Sequence, residues 1–174
     1  YSLVEEWTGY AGLNADLFDG ALRNRLGFSR SETVCDNSNP LRTVRPQSFA
    51  AKGQTDRYEY QGTLGLAQGW TIVFGIEREE QKMRSASPPN SLASFTTIRA
   101  SADIDSQYAQ VRIEPVVGLT LNGGLRHDHH SAFGGNMVFG GGAVWSLFDD
   151  RTILRASYGE GFKAPTLYQL HSEY

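Results

Sequence analysis

The strongest pattern along this chain is period-two alternation of apolar and polar side chains, which marks strands with one greasy and one wet face. Between Arg57 and Leu66, Tyr58, Tyr60, Gly62, Leu64 and Leu66 point one way, and Arg57, Glu59, Gln61, Thr63 and Gly65 the other. Past a short Gln68-Gly69 turn, Ile72, Phe74 and Ile76 oppose Thr71, Val73, Gly75 and Glu77. Six further strands are predicted: Trp7 to Ala15, Ala21 to Ser31, Gln107 to Ile113, Leu119 to His127, Met137 to Leu147, and Thr152 to Gly161. Around Gly140, Gly141 and Gly142 both faces are apolar, and alternation assigns no register.

Connections alternate in length. Short turns fall at Phe18-Asp19-Gly20, Gln68-Gly69, Val116-Val117-Gly118 and Asp149-Asp150. Longer links run from Thr33 to Gly53, Arg84 to Asp105 and His129 to Asn136, and carry Pro40, Pro46, Pro88 and Pro89 among many Ser and Asn residues. Such links read as exposed loops. An antiparallel up-and-down meander is expected, with tight turns at one end and long loops at the other, as in outer-membrane barrels.

A common height sharpens this reading. Counted from the short turns, the apolar face ends past Phe28 at Arg30, past Ile76 at Arg78, past Leu125 at His127 and past Tyr158 at Glu160. Roughly 8 to 10 tilted residues cross an apolar band of about 25 Å. Tyr58, Tyr60 and Trp70 lie where aromatic girdles belong. A soluble all-β binding or adhesion module also alternates, but nothing obliges its apolar faces to stop at one level. A passive porin is the other alternative.

Composition excludes more than it selects. A net charge of −3 argues against nucleic acid. No run nears the roughly 20 apolar residues of a membrane helix, which leaves strands untouched. Cys35 is the one cysteine, so the chain builds no internal disulfide or cysteine-based zinc site. The start at Tyr1, without a visible signal peptide, reads as a fragment or a trimmed chain.

His127, Asp128, His129 and His130 invite a metal, yet neighbours in a strand face opposite ways, so no metal site and no cofactor are assigned. Ser157 lies mid-strand rather than on a strand-to-helix elbow, so no catalytic residue is assigned and an enzyme is not expected. Arg23, Arg25, Arg57, Glu59, Arg112, Glu114, Arg126 and Arg155 all fall on polar faces. They suit a wet or plug-filled lumen, and equally cross-strand ion pairs that fix register.

The most specific stretch is Arg155-Ala-Ser-Tyr158-Gly159-Glu-Gly161-Phe162-Lys163-Ala164-Pro165-Thr-Leu167-Tyr168-Gln169-Leu170. It resembles the R-x-S-Y-G-x-G-F-K-A-P-x-L-Y-Q-L segment of TonB-dependent outer-membrane receptors. Gly118 to Asp128, ending Gly-Leu-Arg126-His-Asp128, resembles that family's G-L-R-x-D strand, and His129, His130 and Phe133-Gly134-Gly135 resemble its linker. The resemblance runs from about Asp105 to Tyr174 and is greatest to cobalamin and catecholate-siderophore transporters.

What the resemblance implies is a partial barrel over residues 1–174, about eight strands of a 22-stranded transmembrane β-barrel whose plug and other strands lie outside the chain. It implies active uptake of a metal chelate, a ferric siderophore or cobalamin, across a Gram-negative outer membrane, energised by the TonB complex through the plug. Partners would be outer-membrane lipid, that complex and the chelate, with the three long links facing ligand. Lumen or plug contacts would fall to Arg57, Glu59, Arg112, Arg126, Arg155 and, if the strand register persists, Lys163. Gly159 and Gly161 suit a bend or a close backbone approach, and Pro165 ends ladder pairing. The motif is read as architectural in preference to plug-binding.

Overall fold

A computed structural model of the chain describes residues 1–148, 150–163 and 165–171, the side chains of Tyr168 and His171 excepted. Eight strands form one antiparallel sheet in chain order: β1 (Ser2–Leu17), β2 (Leu22–Ser38), β3 (Gln47–Ala67), β4 (Trp70–Ala86), β5 (Thr97–Val116), β6 (Leu119–His130), β7 (Gly134–Leu147) and β8 (Thr152–Gly159). One short helix follows, α1 (Leu167–His171). The sheet is open: β1 and β8 are its edges and do not pair with each other. The all-β up-and-down expectation is what forms.

The tight turns sit where chain sterics allow them. Gly20, Gly69 and Gly118 take positive φ, as do Phe18, Asp19, Phe148 and Asp150, the conformation that lets a two-residue hairpin follow the strand twist. The Asp149 half of the predicted last turn lies outside the described residues.

Directly paired residues share a face, so the register sorts the whole sheet. Leu26, Tyr60, Ile76, Gln107, His127 and Met137 form one cross-strand row on one face. Arg25, Gln61, Gly75, Tyr108, Arg126 and Val138 form a row on the other. The glycine run is settled by its neighbours. Gly141 pairs with Gly123 and Tyr158 on the apolar face, which puts Gly140 and Gly142 on the polar one.

No core lies beneath the apolar face. Leu13, Leu26, Ile76, Leu154 and Tyr158 are each more than half exposed, and Ala102 and Leu167 are the buried hydrophobics among the described residues. A water-soluble module would pack these side chains against a second layer. Here they present a belt to the surroundings, with Trp70 and Trp145 beside the short turns and Phe28, Tyr58, Phe139 and Tyr158 toward the far edge.

The edge of that belt runs obliquely to the hydrogen-bond rows. Arg30 pairs through Asp56 with Glu80, two residues beyond Arg78 on β4. Arg78 pairs through Asp105 with His129, two beyond His127 on β6. Glu160, whose N–H donates to the Phe139 carbonyl, follows the same step. A drift of two residues, about 6.6 Å, over two strand spacings of about 4.8 Å each corresponds to strands tilted by about 35°. That lies in the range for transmembrane barrels.

Four expectations need correction. The link Thr33 to Gly53 shrinks to residues 39–46, because Thr33–Ser38 and Gln47–Gly53 remain paired strand. Arg84 to Asp105 shrinks to 87–96, and His129 to Asn136 to 131–133. Beyond the belt both faces meet water, so backbone pairing continues after alternation has ceased. Strand β8 stops at Gly159 rather than Gly161, so its register does not reach Lys163, which is exposed.

At the first rung above the belt Arg30 grips Asp56 with a two-bond fork, Nε to Oδ1 at 2.5 Å and Nη2 to Oδ2 at 2.9 Å. Gln54 donates a further bond to Oδ2 at 2.8 Å. The Arg30 hydrogen bond, helped by Gln54 and the guanidinium charge, holds the Asp56 carboxyl below its ordinary value against the opposing cost of burial.

Two outcomes are expected. Ile72→Arg, on the apolar face near mid-belt, should cost roughly 2–4 kcal/mol in a lipid bilayer, whereas Thr71→Arg on the polar face should cost little. Urea unfolding of the folded barrel reads both, and equal costs would refute the two-faced belt. Because Asp56 has a depressed pKa, its contribution is present above the ordinary carboxylate value of about 4 and is lost as pH falls through the lower folded value. Asp56→Asn should therefore lower stability at pH 7 and flatten its decline below about pH 4. Matching acid profiles for the two proteins would sink this.

Candidate functional site

The polar face carries a connected set of charges built from single residues of neighbouring strands. Arg25 on β2 donates to the Tyr10 hydroxyl on β1 at 3.1 Å and approaches Glu59 on β3 at 3.4 Å. Arg57 on β3 donates to Glu79 on β4 at 2.6 Å. Arg126 on β6 spans β5 to reach both carboxylate oxygens of Glu77 on β4, at 3.3 and 3.0 Å, and its Nε donates to Asp128 at 2.8 Å.

Between them stands Tyr108, its ring 5.9 Å below the Arg126 guanidinium and its hydroxyl donating to Gln61 at 3.2 Å. That ring needs Gly75. A Cβ there would lie 2.5 Å from the Tyr108 hydroxyl and 2.6 Å from the Tyr60 carbonyl, and the backbone oxygen has nowhere to go.

Of the residues predicted to line the interior, Arg57, Glu59, Arg112, Arg126 and Arg155 all lie on this one face by register. Arg57, Glu59 and Arg126 join the network, whereas Arg112 pairs with Glu114 beside it at 2.7 Å. Arg155 sits exposed near the β8 edge. The expected cross-strand ion pairs are therefore present at Arg57, Glu59 and Arg126.

The motif divides. Tyr158 lies on the apolar face and donates to Glu160 at 2.7 Å, and Glu160 in turn accepts from the Phe139 N–H at 3.1 Å, fastening the end of β8 to β7. A Cβ at Gly159 or Gly161 would meet no atom within 4 Å among the described residues, so no close backbone approach is seen there. The reason is that β8 is an open edge. Phe162 and Pro165 are exposed and outside any strand, and Ala164 falls outside the described residues.

Helix α1 was not legible as a helix, yet it has a signal. Thr166 Oγ1 accepts from the Gln169 N–H at 3.2 Å and Gln169 Oε1 from the Thr166 N–H at 3.0 Å, a reciprocal capping box directly after Pro165. Leu167 is buried beside Thr33, Cys35, Gly53, Thr55 and Met83 at the outer end of the polar face.

The two longer loops fold against one another. Arg42 Nη1 donates to the Gln47 and Pro88 carbonyls at 3.0 and 2.8 Å. Asn90 Oδ1 accepts from the N–H groups of Val44 and Arg45 at 3.2 and 3.3 Å. The Arg45 guanidinium lies 4.7 Å over the Phe95 ring, and its buried Nη1 has no hydrogen-bond partner among the described residues. In the third link His130 Nδ1 accepts from the Ala132 N–H at 3.0 Å, so this histidine builds a turn. Alternation sends His127 and His129 to one face and Asp128 and His130 to the other.

Comparison with known proteins agrees with this architecture. A family model described as TonB dependent receptor-like, beta-barrel matches residues 1–174. The ferric enterobactin receptor of Pseudomonas aeruginosa is 32% identical over 158 residues, 83% of this chain and 20% of that protein. The ferrienterobactin receptor of Escherichia coli K12 is 28% identical over 118 residues, 60% of this chain and 16% of that protein. A mutant P. aeruginosa ferric enterobactin receptor solved with enterobactin shares the fold at a TM-score of 0.78 and 24% identity, covering 97% of this chain and 27% of that one. The siderophore receptor PirA of the same organism gives 0.71, with 96% and 30% covered. The chain thus spans about a fifth of the length of the curated relatives it matches. With a family match along its whole length, the chain belongs to the TonB-dependent receptor family, as part of its β-barrel.

Proposed function

We propose that this chain is a section of wall, lumen lining and ligand-facing loops in an outer-membrane transporter that takes up a ferric catecholate siderophore. The observation that carries the reading is the two-faced sheet: an exposed apolar belt backed by a charged network on the opposite face. The edges β1 and β8 pair with further strands of the same barrel, since hydrocarbon leaves no water to satisfy open backbone groups. The polar face then meets a plug domain outside this chain, and the TonB complex drives plug movement. Transport here is binding followed by conformational change, with iron as cargo inside its chelate and no covalent chemistry.

The relatives named above are ferric enterobactin and siderophore receptors, which directs the reading to catecholates in preference to cobalamin. The loop pair 39–46 and 87–96 suits such a ligand. A ferric tris-catecholate is anionic and aromatic, and Arg45, stacked on Phe95, places a cation within this loop pair.

In the intact receptor, Arg45→Ala should weaken ferric-enterobactin binding roughly tenfold or more, as loss of a charge-assisted bond does. Fluorescence titration of the purified receptor checks this, with Phe95→Ala as a second variant. Unchanged affinity in both, or tight binding of cobalamin instead, would overturn the proposal.

A further inference from the structure

The two longer outer loops leave neighbouring hairpins with no sheet rung between them. The ladder joining β3 to β4 ends at Ala50 and Ala86, short of residues 39–46 and 87–96. Segments of this kind ordinarily move apart, because each gains chain entropy by doing so. Here both are stiffened before they meet. In the first, the Asn39 N–H donates to the Pro46 carbonyl at 2.8 Å and the Arg42 N–H to the Asn39 carbonyl at 3.1 Å. Asn39 Oδ1 also accepts from the Leu41 N–H at 3.0 Å. In the second, Pro88 and Pro89 each fix φ, and Ser91 Oγ accepts from the Ala93 N–H at 3.3 Å.

The contacts that cross between the loops run in both directions. Arg42 Nη1 donates to the Gln47 carbonyl on its own side and to the Pro88 carbonyl on the other. The Pro88 side chain is fully buried, which anchors that carbonyl. Asn90 Oδ1 reaches back to the N–H groups of Val44 and Arg45, and Arg45 crosses again to the Phe95 ring. Arg42 therefore commits its charge to backbone oxygen, where a charge-assisted bond is strong. Asn90 grips the backbone of the very residue whose guanidinium is assigned to the chelate above. One oxygen that accepts two successive N–H groups fixes where that backbone lies, and so where Arg45 can place its cation.

We propose that Arg42 and Asn90 form a clasp that makes the two loops one body before ligand arrives, with Asn90 positioning Arg45 for the anionic chelate. The positioning role rests on the reading of this loop pair as ligand-facing. A surface ordered in advance loses less entropy on binding, and only the fraction of molecules with both loops in place captures ligand.

The test uses the intact receptor. Spin labels are carried on Leu41→Cys and Leu92→Cys, positions 86% and 90% exposed, with Cys35→Ser to keep labelling specific. Without ligand, double electron–electron resonance should give one narrow distance in the parent and a broad spread in Arg42→Ala/Asn90→Ala. Asn90→Asp keeps the acceptor oxygen and should hold the narrow distance that Asn90→Ala loosens. A broad parent distribution, a narrow one in Arg42→Ala/Asn90→Ala, or an Asn90→Asp spread equal to that of Asn90→Ala overturns the clasp. Ferric-enterobactin titration reads the positioning role. Asn90→Ala should bind roughly fivefold more weakly, as loss of the competent population does. Arg45→Ala/Asn90→Ala should bind no more weakly than Arg45→Ala alone, because Asn90 acts through Arg45. Losses that multiply, or parental affinity in Asn90→Ala, overturn positioning and leave the ligand reading intact. If Arg45→Ala itself binds as the parent does, the ligand reading fails and positioning with it, and the label distances judge the clasp separately.

Discussion

Everything in this sheet follows from one constraint: inside hydrocarbon a backbone amide has no water to fall back on, so each strand must find its partners in its neighbours. Continuous pairing from β1 to β8 fixes side-chain direction, because paired residues share a face. Once direction is fixed, the bilayer selects apolar side chains on one face only. The other face is free to collect charge, and it does so through Arg25, Glu59, Glu77 and Arg126.

The same constraint sets the tilt. A belt of uniform height crossing rows that drift by two residues per hairpin requires inclined strands, and inclined strands are what permit a sheet to close. The single-layer sheet with its exposed apolar face is therefore intelligible as an arc. Small residues make room where the sheet is crowded: Gly75 admits the Tyr108 ring and Gly27 the Glu59 side chain on the polar face, and Gly62 the Phe74 ring on the apolar one.

Legibility in the sequence tracked this physics closely. Between Leu22 and Phe28, or Ile72 and Ile76, hydrocarbon on one side imposes alternation, and the strands and their faces can be read directly. Above Arg30 and Arg78 both sides are wet, the selective pressure on pattern vanishes, and strand was mistaken for loop as far as Ser38 and Ala86. The inward charges were found because they interrupt apolar faces. Their partners were not, since Arg126 reaches Glu77 across an intervening strand that spacing alone cannot supply. Contacts such as Asn90 with Val44 depend on where two loops land, which no local pattern records. The capping box at Thr166 and Gln169 is a local signal, but the helix it opens spans five residues, too few for a periodic pattern.

Charge on the outward face is layered, and the layers have different physical origins. Next to the belt, Arg30 with Asp56 and Arg78 with Asp103 and Asp105 are neutralised in pairs. An unpaired ion there would sit against the low-dielectric edge of the membrane and gain little solvation. Higher up, water would screen single charges, so pairing is no longer obligatory and Arg84 can face Arg99. Freedom from pairing permits a like-charge row but does not favour one, because mutual repulsion persists at strand spacing, well inside the screening length of about 8 Å. Solvation explains why these cations are tolerated, and Lys52 still keeps a partner in Glu32.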